Sequence, residues 1–351
     1  MRTRYSATRS QIAETLPGEP SYRVDQVWHG LYRELANPEE LTTLPLNLRA
    51  QLADALPPAL AVADERTADD GETVKWLFNL HDGAQVETVL MAYADRVTAC
   101  LSSQAGCAMG CTFCATGQGG FARQLEVGEI VEQFVVAARA AKPRRLSNVV
   151  FMGMGEPLAN FDRVWSAVHR LHDDLGLSAR SITISTVGVI PGIDRLADAD
   201  LPVNLAVSLH AANDVDRTAL VPLNRRYPLT ELRRALESYR AKTNRRLSFE
   251  WALIDGVNDT DQAAAELAAY ARPLGAHVNL IPLNPTPGYL VRGSRPERVA
   301  EFVALLRELD VNATVRQTRG QDIDAACGQL AAPQAIALRG RGQSSAGAAS
   351  S

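Results

Sequence analysis

From about Arg96 to the Pro333 region the chain alternates short strand-like segments with amphipathic helices, and no other feature restricts its fold so strongly. The strand candidates are VTACLS, NVVFMG, SITIST, VNLAVSL, LSFEWALI, VNLIPL and ATVRQT. Helices such as EVGEIVEQFVVAARA and PERVAEFVALLREL lie between them. Strands joined through helices pair in parallel with right-handed crossovers, so the expected class is α/β, with a sheet that is open or closed into a barrel. In such a barrel the active site is built at the carboxyl ends of the strands. The distinctive residues sit there. A cysteine loop follows VTACLS, Gly153-Met154-Gly155-Glu156-Pro157 follows NVVF, and Ser185-Thr186 closes SITIST. Ser208-Leu209-His210 ends VNLAVSL, Asn284-Pro285 ends VNLIPL, and Thr318-Arg319-Gly320 ends ATVRQT. One mouth is expected to collect them all.

Ahead of this region, residues 1–60 read as a helical module. Val24, Val27, Trp28, Leu31, Tyr32 and Leu35 recur at three- and four-residue steps, and Asn37-Pro38 is a helix start signal. Residues 61–95 read as a linker and a hairpin, TVKWLFNL and QVETVLMAY around His81-Asp82-Gly83. Glu87 shares a strand face with Val89 and Met91; a carboxylate there is paired, edge-exposed or chemically employed, and the sequence favours the edge. The alternating domain is assigned to 96–335, and the tail 336–351, which lacks apolar residues to bury, to disorder.

The start MRTRYSATRSQIAET has no apolar run, and no segment approaches the roughly 20 apolar residues of a membrane span. A cytoplasmic protein with reduced thiols and no membrane partner is expected. A net charge of -4 gives no global pull toward nucleic acid. Among the 36 basic residues only Lys75, Lys142 and Lys242 are lysines, and the arginine pairs 144–145, 225–226, 233–234 and 245–246 read first as solvated faces.

The five cysteines are Cys100, Cys107, Cys111, Cys114 and Cys327, an odd number with three crowded together, which argues for a metal or redox site over a disulfide scaffold. The stretch GCAMGCTFCATG is C-x3-C-x2-C. Three thiolates fit a [4Fe–4S] cluster whose fourth iron is open to something that is not protein. The competing readings are a zinc site completed by Cys100 or His210, and three buried cysteines without metal. The surrounding glycines favour a backbone wrapped around a bound object.

C-x3-C-x2-C in a loop after the first strand, with Phe113 before the last cysteine, resembles the radical S-adenosylmethionine superfamily. SSQAGCAMGCTFCATGQGGF, FMGMGEPLAN, LAVSLHA, LIPLNP and RQTRGQDIDAACGQL together are similar to the ribosomal RNA adenine carbon-2 methyltransferases, a dual-specificity group that also modifies tRNA. The likeness runs from the helical module to Leu330. It implies a partial (βα)6 barrel carrying a helical accessory domain and a hairpin extension. It implies a [4Fe–4S] cluster on Cys107, Cys111 and Cys114, and S-adenosylmethionine contacts from Gly155, Glu156, Ser185, Ser208, Leu209, His210 and Asn284. Cys327 would carry a methyl group, Cys100 would resolve the protein–RNA adduct, and Glu87 would accept a proton. A reducing donor such as flavodoxin, and a chain working as a monomer, are also implied. The rival readings are a sister enzyme that methylates carbon 8 of the same adenine and a zinc-stapled RNA-binding module without activity. Taken singly, His210 reads as a satisfied core histidine, and Cys100 and Cys327 as small buried hydrophobes.

Overall fold

The strand candidates alternate apolar with polar residues, although a parallel strand buried on both faces would run apolar throughout. The computed structural model, which describes residues 2–286 and 290–330, shows what each face meets. The expected tail 336–351 lies outside the described residues.

The strands are β1 (Leu60–Ala68), β2 (Thr73–Leu80), β3 (Gln85–Ala92), β4 (Val97–Cys100), β5 (Gln104–Gly106), β6 (Phe121–Gln124), β7 (Asn148–Phe151), β8 (Ile182–Thr186), β9 (Asn204–Ser208), β10 (Leu247–Leu253), β11 (His277–Pro282) and β12 (Ala313–Val315). Ten of them form one sheet in the order β1-β2-β3-β4-β7-β8-β9-β10-β11-β12. From β4 onward every pairing is parallel, whereas β1 to β4 pair antiparallel. Among the described residues no ladder joins β1 to β12, so the barrel is partial.

One face of the parallel strands is a continuous apolar layer: Ala99 pairs Val149, Val149 pairs Ile182, Ile184 pairs Leu205 and Leu205 pairs Leu247, all buried. Helices cover it, for instance Val127–Ala140 through Ile130, Val131 and Phe134, and Pro296–Glu308 through Val299, Phe302 and Leu306. The opposite face looks into the barrel. Its amino-side half is a polar lumen lined by Thr98, Asn148, Thr183, Asn204, Ser248, Asn279 and Thr314. Its carboxyl-side half carries the residues of the mouth. The period-2 polarity is therefore the imprint of a lumen that was never meant to be dry.

Two sequence expectations need correction. Residues 60–68 are not a linker but the edge strand β1; its burial is sparse and its residues include Asp64, Glu65 and Arg66, which blunt an edge but erase the alternating signal. Glu87 is not edge-exposed: β3 lies between β2 and β4, and Glu87 is buried.

The first residues form the helix Tyr22–His29, which continues as a wider turn Gly30–Glu34, after a short helix Arg9–Glu14. Tyr5, Trp28 and Tyr32 pack together, with Trp28 stacked on Tyr32 at 4.5 Å. Arg170 lies 4.8 Å over the Trp28 ring, and Trp28 Nε1 donates to Asp174, fastening these helices to the barrel. The barrel's gap is spanned by side chains. Arg319 Nη1 meets Glu72 at 2.5 Å, the Gly320 amide donates to Asp69 at 3.0 Å, and Lys75 Nζ donates to the Asp324 carbonyl at 3.2 Å. No helix among the described residues is long and apolar enough to cross a membrane.

Candidate active site

The cysteine loop is gripped at its base by the small antiparallel pair β5–β6, where Gly106 pairs Phe121. A side chain at Gly106 would lie 2.1 Å from the Gly120 carbonyl, and its φ of +76° is left-handed, so this close crossing requires glycine. Cys111 is buried and Cys107 and Cys114 are half-buried. All three face one cavity. Burial, reinforced by the charge of Cys114, pushes the Cys107 thiol up to about 12, and burial with both neighbouring cysteines raises Cys111 as well. Left alone these sulfurs keep their protons; a polycationic centre among them reverses that balance. Among the described residues no three His, Cys, Asp or Glu side chains meet as a set for a single ion. Three thiols that line one cavity match the three-thiolate donor set of an iron–sulfur cube. The donor set fits the cluster.

The same cavity is lined by Gly155, Glu156, Ser185, Ser208, His210, Asn284 and Cys327. Glu156 is buried; its carboxylate accepts from the Val187 amide at 2.8 Å and the Leu158 amide at 3.0 Å. Burial nevertheless pushes its carboxyl up to about 7. His210 Nδ1 accepts from the Ala252 amide at 2.9 Å, which leaves the ring proton on Nε2. Burial, aided by Arg217, drives its pKa down to about 3, so the ring stays neutral; Phe113 packs edge-on at 4.6 Å. It is a buried histidine bonded through Nδ1 and a cavity wall at once. Ser185 and Ser208 hydroxyls lie 3.4 Å apart. Leu209 does not line the cavity: its amide donates to the Glu250 carbonyl and its carbonyl accepts from Arg217, so it sets the backbone between Ser208 and His210. Asn284 uses both ends of its amide, donating to the Cys327 carbonyl at 3.0 Å and accepting from Gln321 at 2.8 Å.

Cys327 also lines a second, smaller cavity that contains Cys100. Both are free thiols; Cys100 is buried and Cys327 exposed. Burial, with the charge of Cys327 adding to it, pushes the Cys100 thiol up to about 12. Glu87 lies on neither cavity wall. Its carboxylate pairs with Lys75 at 3.1 Å, and Lys75 reaches the Asp324 carbonyl in the Cys327 loop. Because Val89 pairs Cys100 and Lys75 pairs Val89, all of these side chains leave the sheet on one face.

Sequence reasoning missed Lys75, Glu250 and Arg316. Arg316 lines both cavities and the polar lumen. The signal was present in ATVRQT, where Arg316 has the inward parity of Thr314.

A family model described as the radical SAM superfamily matches residues 101–268. The chain is 49% identical to a probable dual-specificity RNA methyltransferase RlmN of Chloroflexus aurantiacus, over 96% of this chain and 94% of that one. It is 51% identical to the dual-specificity RNA methyltransferase RlmN 1 of Myxococcus xanthus, covering 93% and 94%. A crystal structure of a radical SAM methyltransferase from Sphaerobacter thermophilus superposes with a TM-score of 0.91 at 50% identity, covering 94% of this chain and 99% of that one. Superfamily membership implies a [4Fe–4S] cluster and S-adenosylmethionine, in agreement with the donor set of the cavity. With a relative at 49% identity over nearly its whole length, the chain belongs to the RlmN family of radical SAM RNA methyltransferases.

Proposed function

We propose that this chain methylates carbon 2 of an adenine in large-subunit ribosomal RNA, and in tRNA, through a methyl group carried on Cys327. The observation that carries this reading is the position of Cys327 on the walls of two cavities, one faced by the three cysteines and one holding Cys100. Cys107, Cys111 and Cys114 would hold the cluster, and Gly155, Glu156, Ser185, Ser208, His210 and Asn284 would hold S-adenosylmethionine. Bound there, that cofactor supplies a transferable methyl group and a means of abstracting hydrogen.

The remaining work falls to the chain. Carbon 2 of adenine is electron-poor and cannot attack a sulfonium methyl, so a protein sulfur must carry the carbon to it. Cys327, exposed on its loop, accepts the methyl and presents it to the base, which leaves its stack to enter the mouth. His210, neutral, would offer an N–H to the bound cofactor without adding positive charge to the cavity. Glu156 keeps lone pairs for an ammonium beyond its two amide bonds. Glu87, held by Lys75, accepts the ring proton. Cys100 then attacks the Cys327 sulfur and releases the methylated RNA. An electron donor such as flavodoxin belongs to the same reading, as does a monomeric chain. Residues 1–60, with the arginine clusters, would position the RNA.

The test compares two variants incubated anaerobically with ribosomal RNA and S-adenosylmethionine. Cys327→Ala should give no methylated RNA and no adduct. Cys100→Ala should accumulate protein covalently bound to RNA, seen as a nuclease-sensitive shift on a denaturing gel. Equal partial activities without adduct would overturn the cysteine assignment, and 8-methyladenosine in the wild-type product would overturn the ring position.

A further inference from the structure

Cys100 presents a difficulty. It is buried, and burial raises its pKa against the lowering pull of Arg316, yet the thiolate is the nucleophile in sulfur exchange. The charged and titratable groups around it are few. Cys327 faces it from the C-terminal loop, Arg316 and Arg319 from the segment after β12, and Tyr93 from the end of β3. On the same sheet face, β2 and β3 add the Lys75–Glu87 pair. β7 brings only Val150 and Met152. Arg319 is committed elsewhere, bonded to Glu72 and 4.8 Å from the Tyr93 ring.

Arg316 is different. Its Nη1 lies 3.4 Å from Met152 Sδ and 3.5 Å from Glu250 Oε2. Glu250 is itself fixed by the Asn279 amide at 2.8 Å, and the Arg316 backbone amide donates to the Leu280 carbonyl. Thus anchored, the guanidinium stands where the two cysteine cavities and the polar lumen meet. The charge of Cys327 is the largest influence holding Arg316 protonated, and the charge of Cys100 acts in the same sense. Coulombic attraction is mutual, so the guanidinium favours negative charge on either sulfur.

We propose that Arg316 is the positioning residue that lets buried Cys100 react as a thiolate, its guanidinium held by Glu250 and Met152 on the wall shared by both cysteine cavities. The proposal rests on the reading of Cys100 as the resolving thiol. In the step it serves, the Cys100 thiol gives its proton to solvent and its sulfur bonds to the Cys327 sulfur. The Cys327 sulfur–carbon bond breaks, the carbon keeps the electron pair and takes a proton to become the methyl group. The disulfide that remains needs two electrons from a dithiol reductant. Glu250 balances the guanidinium between turnovers, and the lumen at its back gives the proton a polar way out.

The step can be reproduced without RNA or turnover. In full-length holoprotein whose Cys327 is shown unmethylated by intact mass, the exposed Cys327 is converted with dipyridyl disulfide to its mixed disulfide. Attack by Cys100 on the Cys327 sulfur then releases thiopyridone, read by absorbance across pH. In wild type this release should occur, and Cys100→Ala should abolish it. In Arg316→Met it should slow by about tenfold or more at pH 8, and the deficit should narrow steadily as rising pH ionises the thiol without help. Arg316→Lys should retain most of the rate. Superimposable pH–rate profiles for wild type and Arg316→Met would overturn the proposal. So would equal losses in Met and Lys variants that high pH does not restore, which would mark a role in shape alone. Absence of release in wild type at every pH would instead overturn the pairing of Cys100 with Cys327 on which the proposal rests.

Discussion

The Lys75 ammonium lies 3.1 Å from the Glu87 carboxylate with both side chains buried, and it donates in addition to the Asp324 carbonyl three residues before Cys327. One cation therefore holds the expected proton acceptor and the loop of the expected methyl carrier. Removing one partner of a buried pair leaves the other charge less well compensated. Lys75→Met should lower stability by about 3–5 kcal/mol in chemical denaturation. Adding Glu87→Gln should restore a large part of that loss while leaving RNA methylation absent.

Glu132, in the helix Val127–Ala140, accepts the Ala59 amide at 2.6 Å just ahead of β1. Burial pushes its carboxyl up to about 7 from an ordinary value near 4.5. A raised acid pKa means that the folded chain holds the proton more tightly. Its stabilising contribution is therefore full below pH 4.5 and fades as pH rises through 7. Relative to Glu132→Gln, wild type should lose about 2–3 kcal/mol of stability between pH 5 and 8, read as denaturation midpoints of the two proteins at each pH. Parallel curves would refute this.

Anaerobic reconstitution should load about four irons per chain, the content of one cubane cluster. Replacing any one of Cys107, Cys111 or Cys114 by Ala should abolish stable iron and the brown colour together. A colourless wild type holding zinc would restore the zinc-stapled alternative.

Two glycines with left-handed φ should respond differently to alanine. At Gly18 nothing lies within 4 Å of an added carbon, so Gly18→Ala should cost about 1–2 kcal/mol from backbone strain alone. At Gly106 the same strain is joined by a 2.1 Å clash with the Gly120 carbonyl. Gly106→Ala should open the base of the cysteine loop and reduce iron uptake, measured as iron per chain, while Gly18→Ala leaves it unchanged.

The seven parallel strands and their mouth were legible because each strand shows one apolar and one polar face over enough residues to fix its parity. β1 was hidden because its edge position favours charge over alternation, and β5–β6 because strands of three and four residues are too short to show a period. Lys75 could have been found from hairpin register, since the Asp-Gly turn places it diagonally across from Glu87. Cys100 and Cys327 could not have been brought together without the fold. Their meeting depends on how β4 and the loop after β12 approach across the gap in the barrel.

That gap is fastened like a garment by buttons instead of a sewn hem. Arg319–Glu72, Gly320–Asp69 and Lys75–Asp324 each join the segment leading to Cys327 to the far side of the sheet, and among the described residues no strand ladder backs them. Each fastening can release and re-form at the cost of a few polar contacts, whereas parting two strands would sacrifice a ladder. On the reading proposed for Cys327, a folded RNA gains a side entrance beside that sulfur while the barrel's own framework stays untouched.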